Sequence, residues 1–395
     1  MHRKVTGMLK AIAVSSCFIA ASSHAAGDID QSRVKEIVDS AVQPLLQKYA
    51  IPGMAIAVAV DGKNYFYNYG VASKETGQPV TNETLFEIGS VSKTFTATLA
   101  SYAQVNGQLS LSGNVSKYLP ALRGSSFDHV SLLNLGTHTA GGFPLQVPDN
   151  IHDNDQLMDY FKHWQPAYAA GTARTYANPS IGLLGVIVAK SMNESYEDAI
   201  EKKLFPELGM KHSYIKVPAS QMKNYAQGYN KTDAPVRLNP GVLAAEAYGV
   251  KTNTTDLIRF IDANMQVLKL DEKLQRAISD THTGYFKTGE MTQGLIWEMY
   301  PDSASLGQVL AGNSDAMIYQ TNKVTRLSPP APPQADVLIN KTGSTGGFAA
   351  YVAFIPARKI GIVMLANKSS PADPRVTAAY QILKQLQGSQ PVLEN

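Results

Sequence analysis

The sequence feature that most restricts the possible fold of this chain is a pair of β-hairpin patterns, one near each end. Met54–Val60 is a short apolar run, Asp61-Gly62 is a turn dipeptide, and Asn64–Tyr69 is rich in aromatic residues. The second pattern places the apolar runs Phe348–Phe354 and Ile360–Leu365 on either side of a turn. Short apolar runs that flank turn residues are typical of antiparallel strands. We therefore predict one sheet that is built from both ends of the chain.

Helical patterns dominate the sequence between these hairpins, and further helices are expected outside them. Apolar residues recur at helical spacing in three segments, and Asp373 and Pro374 offer a start for a fourth helix. The predicted helices are Asp30–Tyr49, Val91–Asn106, Ile181–Ser191 and Asp373–Gln387. The Pro-rich stretch Ser328–Gln334 is predicted to be a loop that precedes a strand at Val337–Ile339.

These patterns predict an α+β fold in which helices flank an antiparallel sheet and a mostly helical region is inserted between its two parts. We expect residues 26–85 and 205–395 to form a discontinuous sheet domain. Residues 86–204 are expected to form the mostly helical domain, with an active site at the interface between the two.

The first 25 residues have the pattern of a secretory signal peptide. Arg3, Lys4 and Lys10 precede or begin a short apolar run, and Ser23-His24-Ala25 is a small-residue cleavage site. Removal of this segment takes away three basic and no acidic residues, so the charge of the mature chain is near zero. That balance argues against nucleic acid or an anionic membrane as a partner.

The single cysteine of the chain, Cys17, lies inside this leader, so we expect no thiol and no disulfide in the mature protein. No later apolar stretch is long enough for a membrane span. We expect a periplasmic monomer without stable membrane association.

Ser90-Val91-Ser92-Lys93 is the first candidate catalytic motif. A serine and a lysine three residues apart at a helix start share one face, so the amine can bond the hydroxyl and help remove its proton. The helix N-terminus adds partial positive charge where an oxyanion forms. The same spacing also occurs at Ser32/Lys35, Ser213/Lys216 and Ser220/Lys223. Ser90 is preferred because a strongly apolar helix follows it directly.

Lys341-Thr342-Gly343 is the second candidate, and the chain contains one other copy of this triplet, at Lys287-Thr288-Gly289. The chemistry requires a lysine on a strand edge that faces the nucleophile, followed by backbone that can line the substrate. Lys341 follows the strand-like run Val337–Ile339, whereas the surroundings of Lys287 predict a loop. We therefore assign the catalytic role to Lys341.

Tyr176-Ala177-Asn178 is the third candidate and the only Y-x-N sequence in the chain. A tyrosine beside two ammonium groups has its phenolate favoured, which lowers its pKa and makes it a usable general base. A turn at Asn178-Pro179 is the structural alternative.

The order S-V-S-K, Y-A-N, K-T-G resembles that of class C serine β-lactamases. The resemblance extends over nearly the whole predicted mature chain, including Thr139–Pro148, Ala245–Val250 and Phe354–Lys368. It implies the β-lactamase/transpeptidase-like fold and hydrolysis of cephalosporins and penicillins through a serine acyl-enzyme, which confers antibiotic resistance. Small-molecule β-lactams are the implied substrates, and no metal or organic cofactor is implied.

The resemblance also implies a role for each site residue. Ser90 attacks the β-lactam carbonyl, Lys93 and Tyr176 shuttle its proton, and Lys341 supports the charge. The amides of Ser90 and Ser344 form the oxyanion hole. The remaining implied substrate contacts are Gln146 and Asn178 at the side-chain amide, Tyr248 in the acyl side-chain pocket, Thr342 and Gly343 along the strand, and Arg375 near the substrate carboxylate.

Two positions depart from the family pattern: Ala372 replaces a frequent asparagine, and Asn340 stands where some members have histidine. Both affect the expected substrate preference and not the reaction type. We expect Arg375 to lie in a solvent-open part of the site, in the first turn of the last helix, where its charge opposes the helix dipole.

Three other functions remain open from the sequence. A D-Ala-D-Ala peptidase or esterase on the same scaffold would share Ser90 and Lys93. A metallo-hydrolase would need converging ligands, but the histidines are scattered along the chain. A β-lactam sensor would need a signalling partner or a membrane segment. Glu246 is rejected as the deacylating carboxylate of another lactamase class, because the tyrosine motif stands where that class has a serine motif.

Overall fold

The computed structural model describes residues 30–389 and the single residue His2. The predicted leader therefore lies outside the described residues, His2 excepted. The strands are β1 Gly53–Val60, β2 Lys63–Gly70, β3 Phe86–Glu87, β4 Ala173–Thr175, β5 Gly228–Tyr229, β6 Pro235–Val236, β7 Lys251–Thr252, β8 Gly284–Thr288, β9 Met291–Gln293, β10 Glu298–Pro301, β11 Thr321–Lys323, β12 Thr325–Ala331, β13 Val337–Ser344, β14 Ala349–Ile355 and β15 Ile360–Ala366.

Several 3-10 turns lie between the α-helices, and one of them, Gly89–Ser92, leads directly into α2; a π-helical segment, Ala199–Leu204, joins α7 to α8. They are α1 Gln31–Tyr49, α2 Lys93–Val105, α3 Val115–Tyr118, α4 Leu132–Gly136, α5 Asn154–His163, α6 Asn178–Ser191, α7 Tyr196–Asp198, α8 Phe205–Glu207, α9 Ala244–Ala247, α10 Thr254–Asn264, α11 Glu272–Asp280, α12 Leu306–Gly312, α13 Asp315–Tyr319 and α14 Ala372–Ser389. Within residues 30–389, no helix is both long and apolar enough to span a bilayer.

The main sheet has nine strands in the order β12-β8-β9-β10-β13-β14-β15-β1-β2. Strand β1 pairs antiparallel with both β15 and β2, so Val58 lies opposite Ile362 on one side and Tyr65 on the other. The N-terminal and C-terminal hairpins are therefore adjacent, which confirms the prediction of one sheet that is built from both chain ends.

Strand β1 is buried along its whole length because both faces of the sheet are covered. Alternate residues enter two different cores: Ala55 and Ala57 pack with the helices around α2, whereas Ile56 and Val58 pack beneath α1 and α14. This double burial explains why the segment reads as a continuous apolar run. It also places β13, at the centre of the sheet, between two rigid layers.

Two local predictions were wrong, and one structural alternative is not what the chain adopts. The Pro-rich segment predicted as a loop contributes to β12, an edge strand, where residues without a backbone N–H are tolerated because one edge needs no ladder partner. Lys287 lies in strand β8 and not in a loop. Asn178 begins α6 with Pro179 in its first turn, so the Asn-Pro pair starts a helix and does not form an isolated turn.

Candidate active site

Ser90 lies in the 3-10 turn that precedes α2. Gly89 has a φ of +50°, and a Cβ at this position would be 2.5 Å from the backbone N and O of Ser344. Likewise, a Cβ on Gly343 would lie 2.0 Å from the carbonyl oxygen of Ile88. Both glycines are required because the turn that carries Ser90 and the end of β13 approach each other backbone to backbone.

Lys93 is completely buried behind Ser90. Its Nζ donates to Ser90 Oγ at 2.8 Å and to the Ala247 carbonyl oxygen at 2.9 Å, which fixes the amine in one orientation. Burial, together with the Lys341 charge, lowers the pKa of the Lys93 amine to about 8. The lowered pKa leaves more neutral amine near neutral pH than an ordinary lysine has, which suits this group to accept the Ser90 proton.

Tyr176 lies between the two lysines. The Nζ atoms of Lys93 and Lys341 are each 5.1 Å from the centroid of its ring. Burial acts to raise the pKa of the Tyr176 phenol, but the Lys341 and Lys93 charges act against it, and the pKa falls to about 8. The Tyr176 hydroxyl is buried and makes no hydrogen bond of standard geometry, but Ser90 and Lys93 lie close enough to it to favour its phenolate form.

Lys341 lies in β13 with only 2% of its surface exposed. Its Nζ is 3.8 Å from Glu298 Oε1, and Arg174 Nη2 reaches the same oxygen at 3.0 Å. Arg174 Nε also donates to Gln293 Oε1 at 2.7 Å. The carboxylate thus neutralises part of the positive charge that would otherwise accumulate around Tyr176.

A cleft of about 580 Å³ brings the predicted residues together. Its lining includes every predicted site residue except Lys93, which lies directly behind Ser90: Ser90, Gln146, Tyr176, Asn178, Tyr248, Lys341, Thr342, Gly343, Ser344 and Arg375. Asn178 Nδ2 donates to Gln146 Oε1 at 2.8 Å, while Asn178 Oδ1 is buried and unpartnered. This leaves an acceptor on the wall where an amide is expected to bind.

Arg375 is not solvent-open as expected; only 4% of it is exposed. Its Nη2 donates to Ser344 Oγ at 2.9 Å and to the Gly343 carbonyl oxygen at 3.3 Å, and its Nη1 donates to the Ser370 carbonyl oxygen at 2.9 Å. Burial lowers its pKa to about 10. The side chain therefore holds the end of β13 against the start of α14, and these bonds offset its unfavourable place in the first helical turn.

The two positions that depart from the family pattern differ in location. Ala372 lines the cleft. Asn340 is completely buried beside it and donates from Nδ2 to the Glu298 carbonyl oxygen at 2.9 Å. Asn340 therefore supports the backbone of β10 and does not line the cleft.

The alternative motifs lie elsewhere. Lys287 is exposed on β8 and lines a different cavity with His282 and Tyr300. Ser213 is buried and donates to Asp256 Oδ2 at 2.8 Å, whereas Ser32 bonds the N-cap Asp30 at the start of α1. In the described part of the chain, no group of three or more His, Cys, Asp or Glu side chains could hold a metal ion.

Sequence reasoning missed several residues of the cleft. Arg174 and Glu298 form the charged wall behind Tyr176, and Arg174 Nη1 donates to the Met317 carbonyl oxygen at 2.7 Å. Asn313, Met317 and Tyr319 also line the cleft. Tyr319 is 69% exposed, which is unusual for a large aromatic side chain. A usable signal for Arg174 was its place two residues before Tyr176; the others come from chain segments without a recognisable motif.

Fold and site together have the arrangement of a serine acyl-transfer enzyme, in which a serine that is hydrogen-bonded to a lysine faces a second lysine and a tyrosine across a helix–sheet cleft. The model of the family described as Beta-lactamase matches residues 38–387. A β-lactamase of Lysobacter lactamgenus is 55% identical over 346 residues, covering 88% of this chain and 90% of that protein.

Solved structures agree with this result. A class C β-lactamase in complex with cefoxitin is 60% identical with a TM-score of 0.88, and the match covers 90% of this chain and 100% of that one. A β-lactamase/D-alanine carboxypeptidase from Pseudomonas syringae is 53% identical with a TM-score of 0.88, over 91% and 100% of the two chains. The chain belongs to the β-lactamase family, and within it to the class C serine enzymes.

Proposed function

We propose that the protein hydrolyses the β-lactam amide of cephalosporins and penicillins through an acyl-enzyme on Ser90. The observation that carries this proposal is the 2.8 Å hydrogen bond between Lys93 Nζ and Ser90 Oγ at the floor of a cleft that Tyr176 and Lys341 also line. A buried amine of lowered pKa in contact with a hydroxyl is the arrangement that activates a serine nucleophile.

In acylation, Ser90 Oγ attacks the lactam carbonyl carbon while its single proton passes, directly or by way of Lys93, to the Tyr176 phenolate. The backbone N–H groups of Ser90 and Ser344 stabilise the oxyanion, an assignment supported by the close backbone contact between their segments. The C–N bond of the lactam then breaks, and the leaving nitrogen receives the proton from the Tyr176 hydroxyl. Lys341 stabilises the negative charge that Tyr176 carries before it takes the Ser90 proton and again after it gives that proton to the nitrogen.

In deacylation, a water molecule attacks the ester carbonyl carbon and gives its proton to the Tyr176–Lys93 pair, whose two pKa values both lie at about 8. Because the two groups interact strongly, they titrate as a unit and either one can hold the shared proton. The ester C–O bond breaks and the proton returns to Ser90 Oγ. No metal or organic cofactor takes part in this sequence.

The remaining residues bind and orient the substrate. Gln146 and Asn178 contact the side-chain amide, Tyr248 lines the acyl side-chain pocket, and Thr342, Gly343 and Ser344 align the substrate along β13. Arg375 affects binding of the substrate carboxylate indirectly: it holds the end of β13 in place and orients the hydroxyl of Ser344. This revises the direct, solvent-open contact that the sequence suggested.

We also propose how the chain is divided into an export signal and two domains. Residues 1–25 direct export, residues 26–85 and 205–395 form the sheet domain, and residues 86–204 form the helical domain, with the active site at their interface. The mature protein is a periplasmic monomer that binds neither nucleic acid nor membranes stably.

Steady-state kinetics on the purified mature protein test the function. We expect rapid turnover of a chromogenic cephalosporin that is unaffected by a chelator, with D-Ala-D-Ala peptides and simple esters turned over far more slowly. Faster turnover of the peptide would replace the proposal with the peptidase alternative. Stable acylation without turnover would indicate a β-lactam sensor, and loss of activity with a chelator would indicate a metallo-hydrolase.

A further inference from the structure

Glu87, three residues before the nucleophile, is a buried carboxylate with no part in the mechanism above. It lies in the two-residue strand β3 with only 1% of its surface exposed, opposite Lys251 of β7. Burial of a carboxylate is costly unless hydrogen bonds replace its lost hydration. Its partners therefore indicate what the charge is used for.

Three hydrogen bonds from three separate segments converge on this carboxylate. Oε2 accepts from Thr345 Oγ1 at 2.5 Å, and Oε1 accepts from Tyr225 Oη at 2.5 Å and from the Leu238 backbone N–H at 2.7 Å. The three donors are neutral, so each bond is assisted by the charge on the acceptor. A carboxylate is suited to this position because it only accepts hydrogen bonds, so the Thr345 hydroxyl must be the donor.

The Thr345 bond connects the two halves of the proposed oxyanion hole. Thr345 directly follows Ser344 at the end of β13, and Glu87 directly precedes Ile88 and Gly89, which lead to Ser90. These two segments already touch at Gly89 and Gly343, where neither position has room for a Cβ. The hydrogen bond adds a directional link beside this contact, and it fixes how far the two backbones can slide past each other.

We propose that Glu87 is a positioning residue that, through Thr345, holds the backbone N–H groups of Ser90 and Ser344 at the separation an oxyanion requires. This inference deepens the proposed function and rests on it. Oxyanion-hole donors act on the charge that develops in the transition state, so small displacements reduce kcat much more than they alter KM. The hydrogen bond from Tyr225 reaches the same carboxylate but does not connect Glu87 to the end of β13, so its expected role is in folding.

The chain offers a closely matched pair of variants. Thr345→Val and Tyr225→Phe each remove one hydroxyl donor to the same carboxylate, from bonds of equal length. We expect Thr345→Val to lower kcat for a chromogenic cephalosporin about tenfold at nearly constant KM, and Tyr225→Phe to stay within about twofold. Thr345→Ser keeps the donor and should restore the rate. Glu87→Gln, which can present its amide N–H₂ to Thr345, should lie between the two.

Phenylboronic acid provides a readout that does not depend on turnover, because its tetrahedral adduct with a serine places a negative oxygen in the oxyanion hole. Its Kd should rise in Thr345→Val by the same factor as kcat falls, and should be unchanged in Tyr225→Phe. Equal losses of kcat and boronate affinity in both variants, accompanied by equal losses of Tm, would show that the carboxylate is purely structural and would overturn the inference. A wild-type Kd and kcat in Thr345→Val would overturn it as well. Absence of cephalosporin turnover in the wild type, with boronate binding that still follows this pattern, would overturn the proposed function alone.

Discussion

Replacing Lys341 with methionine removes one charge from the site while it keeps most of the side-chain volume. The lysine is buried, and its Nζ is 5.1 Å from the centroid of the Tyr176 ring. Glu298 remains paired with Arg174 Nη2 at 3.0 Å in the variant, so no carboxylate is left buried without a partner. We therefore expect a folded enzyme whose electrostatics alone have changed.

The 5.1 Å between Nζ and the ring centroid sets the scale of the charge separation, because the phenolate charge is spread over the oxygen and the ring. Two unit charges about 5 Å apart interact by about 3 kcal/mol at an effective dielectric constant of about 20, which corresponds to roughly two pKa units. Lys341 lowers the pKa values of both Tyr176 and Lys93, so its removal raises both from their present values of about 8. At neutral pH less phenolate and less neutral amine are present, and the rate falls on the order of 10²-fold.

The assay is the pH dependence of kcat and kcat/KM for a chromogenic cephalosporin. The rising limb of the profile should shift to higher pH by up to about two units in Lys341→Met. Lys287→Met is the matched control, because Lys287 lies in an identical triplet but is exposed on β8. Equal defects in the two variants, or a Lys341→Met enzyme with an unshifted profile and a wild-type rate, would refute the reasoning.

Three further substitutions test separate parts of the account. Tyr176→Phe should reduce kcat on the order of 10²-fold or more with little change in Tm, because the phenol and not the ring packing carries the proton; near-wild-type kcat at every pH would exclude this role. Arg375→Ala should lower the free energy of unfolding by about 1–3 kcal/mol, measured by urea denaturation, because the buried Gly343 carbonyl oxygen loses its donor. It should lower kcat as well, because the exposed Ser344 hydroxyl at the end of β13 is no longer held. A change confined to KM would favour the solvent-open contact instead. Gly89→Ala should abolish acylation by a β-lactam in a mass-spectrometric assay, since its Cβ would lie 2.5 Å from the Ser344 backbone; wild-type acylation would show that this backbone contact can relax.

The hairpins were predictable because strand periodicity and turn residues are local signals. Asp61-Gly62 marks the turn, and the runs on either side pair with each other as β1 and β2. The Pro-rich segment in β12 was not predictable, because its conformation depends on whether the strand lies at an edge, which is a property of the whole sheet. Local sequence contains no information about that position.

The candidate site shows the same division. Ser90, Tyr176 and Lys341 occur in motifs with fixed spacing, so each could be found without a structure. Glu298 lies on β10, a strand with no motif, and it enters the site only because β10 pairs with β13, where it stands opposite Asn340. The burial of Arg375 was missed for a related reason: its partners belong to a strand about 30 residues earlier in the chain, and helix periodicity does not reveal them.

Covalent labelling is the most direct test of the central claim, that Ser90 is the nucleophile of a β-lactam acyl-enzyme. The mature wild-type protein, mixed briefly with a slowly hydrolysed β-lactam and analysed by intact-mass and peptide mass spectrometry, should gain the mass of one β-lactam on the peptide that contains Ser90. Ser90→Ala should show no adduct and should lose several orders of magnitude in kcat. An adduct that persists in Ser90→Ala, or that moves to Ser32, Ser213 or Ser220, would contradict the account.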